Sequence, residues 1–489
     1  MNDLGCDVAI IGAGTAGLAA ERAARVQGAS TLLIDPLFAG TTCTTVGCMP
    51  SKLLIAAGNA AHNARQASVF GVKSDPQVDG VAVMKRLKAM RAEFVEGFRK
   101  QFDALPEGVA RKSHARFKSE SALVLEDGTT ITTQAVVIAT GARPSIPDFL
   151  DDVAHAVLTS ETLFDLDDLP HSVGVVGAGP LGLELAQALA RLGVEVAVFD
   201  EEETLAGLDD DAVAKVLQGA LKREFPIHLG VGLAAKTDGK AVALSWTGAT
   251  KGSATFEHIL AAAGRPPALG NLDFEKTGLE LDDHDAPNVD PTTMQVGDAP
   301  IFMAGDADHE RPVLHEAQAE GAIAGRNAAR FPKVEKAERM VPLSIMFTSP
   351  AMAQVGKLPE SPSTVRGLAS YADQGWAKMF AVNGGCVTIH AETKDGKLLA
   401  ATMVGPAIEH SAHLLALAIQ NGMTAAQMLA MPFYHPTYEE GLQPALRDIC
   451  KAVGKTPPIV TGSCRAPEPQ EIPSSANALR TLSRAMSRS

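Results

Sequence analysis

Cys43 and Cys48 are the residues best suited to do chemistry in this chain. They lie in Gly40-Thr41-Thr42-Cys43-Thr44-Thr45-Val46-Gly47-Cys48-Met49-Pro50-Ser51-Lys52, a segment that opens on Gly and Thr and leads into an apolar run. Pro50 suits the first turn of a helix, where its missing N–H costs nothing. Leu53, Leu54, Ala56 and Ala57 would continue that helix. Both thiols therefore fall near a helix N-terminus, whose partial positive charge favours a thiolate. A loop this short can bring the sulfurs within bonding distance and close a reducible ring. Two buried structural thiols are the plainer alternative; the glycines and the Pro-Ser-Lys that follow favour a redox pair.

The elements that must position this pair are legible on either side of it. Asp7–Ile11 predicts a buried parallel strand running into Gly12-Ala13-Gly14-Thr15-Ala16-Gly17 and an Ala-rich helix. A second strand, Thr31–Ile34, ends at Asp35. In this strand–turn–helix–strand setting Gly12, Gly14 and Gly17 let a backbone approach a pyrophosphate, and Asp35 can bind a ribose hydroxyl pair. The unit returns at Val173–Val176, then Gly177, Gly179 and Gly182, a helix through Leu192, and a strand Val194–Phe199 ending at Asp200. Each acid stands 18 residues beyond the third glycine of its motif. Two copies at one offset imply two nucleotides on one polypeptide. Glu201, Glu202 and Glu203 follow Asp200 with no Lys or Arg nearby, so the second site should prefer NAD to NADP, whose extra phosphate they would repel.

Strand Val136–Ala139 breaks at Thr140-Gly141-Ala142-Arg143-Pro144, and Ile259–Ala263 breaks at Gly264-Arg265-Pro266-Pro267. Each marks the end of a nucleotide unit and a crossing point. Between the fingerprints, Val81–Lys100 has helical periodicity, and Asp127-Gly128 signals a hairpin between Ala122–Leu125 and Thr129–Thr132. Ile301–Ala304 ends in Gly305-Asp306 before a helix near Val313; Asp306 could accept hydrogen bonds from a sugar-alcohol chain, or be an ordinary helix-start carboxylate.

Composition sets the outer limits. A chain of 489 residues with 46% apolar content holds about three domains. Its net charge of −14 and lack of a long basic run argue against a nucleic-acid partner. The longest apolar runs are of strand length, short of the ~20 residues that span a bilayer. Six cysteines in so long a chain make no disulfide scaffold, and no secretory segment precedes the first strand, so a cytoplasmic protein with one catalytic pair is expected. No metal site is read. From Val341 the pattern becomes mixed strands and helices, with Glu409–Asn421 an amphipathic helix. Beyond Lys455 the chain is rich in Pro, Ser, Arg and Ala, reads as a flexible tail, and carries Cys464.

Over about residues 5–450 the chain resembles the flavoprotein disulfide reductases, and within them the dihydrolipoamide dehydrogenases. The cysteine motif, both fingerprints, Thr140-Gly141, Gly305-Asp306, Phe347-Thr348-Ser349-Pro350, and His435-Pro436-Thr437 with Glu440 carry the resemblance. It implies an α/β chain of two Rossmann-like nucleotide-binding domains plus an α+β C-terminal dimerisation domain. The FAD domain would take residues 1–149 and 269–340, the NAD domain 150–268, the interface domain 341–455 and the tail 456–489. By resemblance the FAD site takes Gly12, Gly14, Gly17, Asp35, Thr42, Lys52, Thr140, Gly141 and Asp306. The NAD site takes Gly177, Gly179, Gly182, Asp200 and Gly264. Cys48 would face the flavin and Cys43 meet the substrate; Lys52 and Glu184 would pair near the flavin. His435, oriented by Glu440, would be the acid–base delivered from the partner subunit of a homodimer. Taken alone, His435 would be a structural histidine and Thr437-x-x-Glu440 a capping box.

Several positions depart from the family pattern. Thr41 replaces a second Gly, and Thr44-Thr45 an apolar residue and Asn, so the loop is expected to approach the flavin differently. Pro444 is expected to interrupt or kink the helix after His435. The implied function is FAD- and NAD-dependent oxidation of a dihydrolipoyl group through a Cys43–Cys48 disulfide. Alternatives are reduction of a glutathione-like disulfide or of mercuric ion, or a flavin-binding redox sensor with little turnover. The glutathione reductases use NADPH, which the acidic run opposes, and no adjacent C-terminal cysteine pair supports mercuric ion.

Overall fold

The uninterrupted apolar strands lie in the parallel centres of two sheets, where both faces are covered and no alternation is required. The computed structural model describes residues 3–281, 286–358 and 363–455. The chain starts with β1 (Asp3–Ile11), α1 (Thr15–Val26) and β2 (Thr31–Ile34), with β1 and β2 parallel. Two helices then carry the cysteines, α2 (Thr42–Thr45) and α3 (Cys48–Gln66), followed by the long α4 (Gly80–Asp103). Strands β3 (Ala110–Arg111), β4 (Ala115–Ser119), β5 (Ala122–Leu125) and β6 (Thr130–Ile138) complete a sheet of order β3-β2-β1-β6-β5-β4. Val8, Ala9 and Ile10 in β1 and Val136, Val137 and Ile138 in β6 are fully buried. The expected hairpin across Asp127-Gly128 is the antiparallel β5–β6 pair.

The second fingerprint builds its own sheet. It contains β7 (Val157–Leu158), β8 (Ser172–Val176), β9 (Glu195–Phe199), β10 (Ile227–His228) and, after a three-stranded antiparallel insertion of β11 (Val231–Asp238), β12 (Ala241–Gly248) and β13 (Gly252–Phe256), β14 (His258–Ala261). The order is β10-β9-β8-β14-β7 and every pairing is parallel. Helix α5 (Pro180–Arg191) follows β8, and α6 (Asp211–Leu221) follows β9. The chain then returns to the first sheet through β15 (Ile301–Met303), which pairs β6, and α7 (Leu314–Ala328), which packs on α1. Gly321 and Gly325 make that contact possible. A Cβ on either would lie 2.2 and 2.1 Å from the carbonyl oxygens of Ala16 and Ala20.

The two crossing points pair with each other. Arg143 donates its N–H to Pro266 O and Ser145 to Gly264 O, and Ala268 donates to Gly141 O. The glycine breaks thus form one antiparallel seam between the two sheets, which no local pattern in either segment announces.

The last part is an antiparallel sheet of β16 (Leu343–Met346), β17 (Ala351–Gly356), β18 (Thr364–Ser370), β19 (Cys386–Glu392) and β20 (Leu398–Gly405), in the order β16-β17-β20-β19-β18. Its helices are α8 (Gly375–Met379), α9 (Ile408–Gln420), α10 (Ala425–Leu429) and α11 (Gln443–Ala452). The expectation for Pro444 is corrected: Pro444 stands in the first turn of α11, where no N–H bond is lost, so it starts this helix and kinks nothing. A short 3-10 turn, Glu439–Leu442, precedes it. Cys450 is a buried free thiol, while Cys464 and the expected tail lie outside the described residues.

Gly321→Ala should lower the thermal midpoint and the flavin-loaded yield, because overpacking two helix backbones costs about 1–3 kcal/mol. Gly97→Ala, on α4 with open space around it, should leave both unchanged or slightly raised. Thermal unfolding of the two variants checks the pair.

Candidate active site

The cysteine loop is held by its own threonines. Thr41 caps α2: its hydroxyl accepts from Thr44 N–H at 3.2 Å, and Thr44 Oγ1 accepts from Thr41 N–H at 3.3 Å. Thr45 Oγ1 donates to Thr41 O at 2.8 Å. Of the three threonines that depart from the family pattern, Thr41 and Thr44 therefore form a capping box and Thr45 adds a further bond to Thr41 O, fixing the turn that bears Cys43. Gly47 joins the two short helices; a Cβ there would sit 2.9 Å from Thr42 O. Cys48 is the first residue of α3.

Cys43 and Cys48 are free rather than joined as a disulfide, and each acts on the ionisation of the other. The contact is electrically asymmetric. The Cys43 thiol bond pulls Cys48 down to about 6, helped by the Lys52 ammonium and opposed by burial and Glu184. The same bond, together with burial, pushes Cys43 well above the ordinary thiol range. Cys48 is thus the sulfur favoured as the anion and Cys43 the one that keeps its proton.

Lys52 stands one turn along α3 and reaches across to α5. Its Nζ lies 2.7 Å from Glu184 Oε2, and Glu184 is only 4% exposed. Glu184 Oε1 accepts from Phe347 N–H at 2.7 Å. The Phe347 ring in turn lies under the ammonium, 4.6 Å from Nζ to centroid.

A cavity of about 480 Å³ opens in front of these groups, lined by Gly14, Thr42, Cys43, Cys48, Lys52, Gly141, Glu184 and Asp306 among others. A second, of about 690 Å³, is lined by Gly177, Gly179, Asp200, Glu201, Glu202 and Gly264. Ser160, Pro180, Leu181 and Arg265 line both, so the cavities meet there. Arg265 bonds Ala142 O and Ser160 Oγ across that junction.

The glycine motifs divide their work identically in both units. A Cβ on Gly12 would fall 2.3 Å from Ala139 O, and one on Gly17 1.8 Å from Gly12 O. On Gly177 and Gly182 the distances are 2.3 Å to Ala262 O and 2.1 Å to Gly177 O. These four serve the close strand–helix contact. Gly14 and Gly179 face open space, where only a ligand would meet a side chain. Asp35 accepts from Ala13, Leu37 and Phe38 N–H groups, and Asp200 from Ala178 and Glu202, so each acid tightens its own motif.

Two polar groups are left waiting. Thr140 Oγ1 is buried without a hydrogen-bond partner among the described residues. Asp306 is half-buried at the cavity wall, and desolvation raises its carboxyl above the usual range despite Arg265. Its turn is held from behind by buried Glu320, which accepts from Gly305 N–H at 2.9 Å.

His435 and Glu440 are not brought to this cavity by their own chain. His435 Nδ1 lies 3.1 Å from both oxygens of Glu440, and the His side chain is 72% exposed. Glu440 also accepts from Thr437 N–H at 3.1 Å, while the Thr437 hydroxyl donates to Tyr434 O. Half of the capping box thus forms and leaves the carboxylate on the imidazole. Ser160 at the site was not singled out from the sequence, and Arg265 and Phe347 were named only within their turn motifs; their places on the cavity wall come from the packing of distant chain.

Two dinucleotide folds whose cavities meet beside an ionised dithiol define a flavin- and nicotinamide-dependent oxidoreductase. The chain belongs to the pyridine nucleotide-disulphide oxidoreductases: that family's model matches residues 6–321, and its dimerisation-domain model residues 343–446. Members of this kind use FAD and NAD(P). The chain is similar to a dihydrolipoyl dehydrogenase of Haloferax volcanii, 31% identical over 90% of this chain and 95% of that protein. It is 31% identical to a mercuric reductase of Streptomyces lividans, over 92% and 98% of the two chains. Among solved structures it shares its fold with the HOCl-induced flavoprotein disulfide reductase RclA from Escherichia coli. The TM-score is 0.76 at 21% identity, covering 90% of this chain and 99% of that one. Among the described residues no helix is long and apolar enough to cross a membrane.

Lys52→Met should raise the pH at which Cys48 ionises, because the nearest cation is lost while Glu184 stays. Ultraviolet thiolate absorbance of the reduced protein against pH, with Cys48→Ser as the blank, reads this directly. The wild-type midpoint should fall near pH 6 and the variant's higher.

Proposed function

We propose that the protein is an NAD-linked dihydrolipoyl dehydrogenase, working as a homodimer through a Cys43–Cys48 disulfide. The observation that carries this reading is geometric: Cys43 and Cys48 line the first cavity beside the Lys52–Glu184 pair, where that cavity meets the one of the second nucleotide fold. FAD would be held by the Gly12–Gly17 turn, with Asp35 toward the ribose, and by Thr42, Lys52, Thr140, Gly141 and Asp306. The open face at Gly14, the unpartnered Thr140 hydroxyl and the desolvated Asp306 carboxyl all fit a polar, phosphate-bearing ligand there. NAD would be held by Gly177, Gly179, Gly182, Asp200 and Gly264. FAD, when bound, carries the electron pair between the sulfurs and NAD⁺.

The residues supply the rest. His435 of the partner subunit takes a proton from one substrate thiol, and that thiolate attacks Cys43 in the oxidised pair. The Cys43–Cys48 bond breaks and Cys48 leaves as the thiolate that Lys52 and the α3 N-terminus stabilise. The second substrate thiol then attacks the mixed disulfide, closing the substrate's own ring. Cys43 leaves, and because its thiol is reluctant to ionise it takes the first proton back from the imidazole, which then accepts the proton of the second thiol and releases it to solvent. Two electrons and two protons have left the substrate. Glu440 keeps the imidazole oriented throughout.

The dimerisation-domain match, the exposure of the His435–Glu440 pair and its absence from its own chain's cavity support a homodimer. The acidic wall at Asp200, Glu201 and Glu202 supports NAD over NADP. Mercuric ion is a weaker substrate choice because Cys450 and Cys464 are the only cysteines after Cys386 and are not adjacent.

Turnover of lipoamide with NADH should far exceed that of glutathione disulfide with NADPH or of mercuric ion; a flat, negligible response to all three would favour a redox sensor. His435→Gln should lose about 10²–10⁴ in kcat. Mixing inactive Cys48→Ser and His435→Gln chains should restore about a quarter of wild-type activity, since each mixed dimer regains one intact site. No recovery in subunits shown to exchange would place His435 outside the partner's site.

A further inference from the structure

Helix α5 carries an unusual stripe. Glu184, Gln187 and Arg191, on one face at helical spacing, are each buried to within 4% exposure. A buried polar stripe on the first helix of a nucleotide fold is costly unless each group is satisfied. Here the hydrogen-bonding sites are taken, and by three different parts of the chain. Glu184 holds Lys52 of α3 and the N–H of Phe347. Gln187 closes on Ser349 from both sides: its Oε1 accepts from Ser349 N–H at 2.7 Å and its Nε2 donates to Ser349 O at 2.9 Å. The same Nε2 donates to Glu224 at 2.8 Å. Arg191 binds Glu224 with two nitrogens, Ser349 O, and Asn59 Oδ1 of α3.

The contact has little slack. A Cβ at Gly58 of α3 would sit 2.9 Å from Ala188 O of α5, so the two helices touch backbone to backbone between these bonds. Ser349 stands two residues beyond Phe347, whose ring underlies the Lys52 ammonium. Phe347 and Ser349 are themselves exposed, so the clamp on their backbone, rather than burial, holds them.

We propose that Gln187 is a positioning residue of the dithiol site: by gripping the Ser349 backbone it keeps Phe347 against Lys52 and so fixes the Lys52–Glu184 pair that faces Cys48. This rests on the reading that the Cys43–Cys48 pair is the redox centre. The charged and titratable groups that act on Cys48 are Cys43, Lys52 and Glu184, with Arg265, Asp306, His315 and His413 on the wall of the same cavity. Of these, Lys52 has a flexible stem and is the one whose distance the clamp can set. Gln187 touches neither sulfur nor either cavity; its influence runs through Ser349 and Phe347.

The test uses the reduced holoenzyme and reads Cys48 ionisation by ultraviolet thiolate absorbance against pH, with thermal unfolding in parallel. Gln187→Met keeps the shape and loses the bonds. Its Cys48 midpoint should rise by about half a pH unit, roughly a threefold change in ionisation constant. A lowered thermal midpoint with an unmoved ionisation midpoint would show a merely structural role and overturn the proposal. Phe347→Leu leaves the clamp but removes the ring, and should raise the midpoint even if Gln187→Met fails to fold; no rise there overturns it too. Because no disulfide substrate enters this measurement, failure to turn over lipoamide would sink the substrate assignment alone.

Discussion

The contact between the cysteine helix and the first helix of the second nucleotide fold is the constraint on which the site depends. Lys52 and Glu184 join them by an ion pair with one partner nearly buried. Such a pair is weak evidence for stability: taking both charges out of water offsets most of their attraction, although removing one partner alone costs about 3–5 kcal/mol. Its value here is geometric. It places a cation beside Cys48 and ties that cation to the helix whose N-terminus opens on the other cavity. Gly58 brings the backbones close enough for it to form.

The two sulfurs are chemically different because of this placement. Left to their sequence, Cys43 and Cys48 are similar thiols near short helices. In the folded chain Cys48 starts a 19-residue helix and faces Lys52, which favours its anion, while Cys43 is pushed the other way by its interaction with Cys48 and by burial. An exchange that must release one sulfur as an anion and the other as a thiol needs that difference. It also needs a proton carrier for the reluctant partner, the part proposed above for His435.

The threonines around Cys43 show how departures from a family pattern can be absorbed locally. Where a glycine and an apolar residue are expected, Thr41 and Thr44 exchange side-chain and backbone bonds, so a turn otherwise shaped by conformational freedom is shaped by capping. Glycine is indispensable elsewhere in the site: Gly17 and Gly182 lie under 2.2 Å, in Cβ terms, from a carbonyl of their own turn. That economy repeats in both units, which is why the motif could be read twice.

The amino-acid sequence by itself determined the local units. Buried strands, fingerprint turns, the cysteine helix and the His435–Glu440 spacing all follow from patterns spanning fewer than about twenty residues, where periodicity and backbone sterics act directly. It also led to one wrong expectation, at Pro444, because a proline before a helix and one inside it look alike until the helix start is known. Only the tertiary structure decided the long-range groupings: the Gly141–Gly264 seam, the return of α7 to α1, the polar stripe on α5 and the cavities meeting at Arg265. These join residues more than a hundred positions apart in several cases. Nothing in the short-range pattern encodes which buried polar group will find which partner, since that is settled by how whole helices and sheets pack.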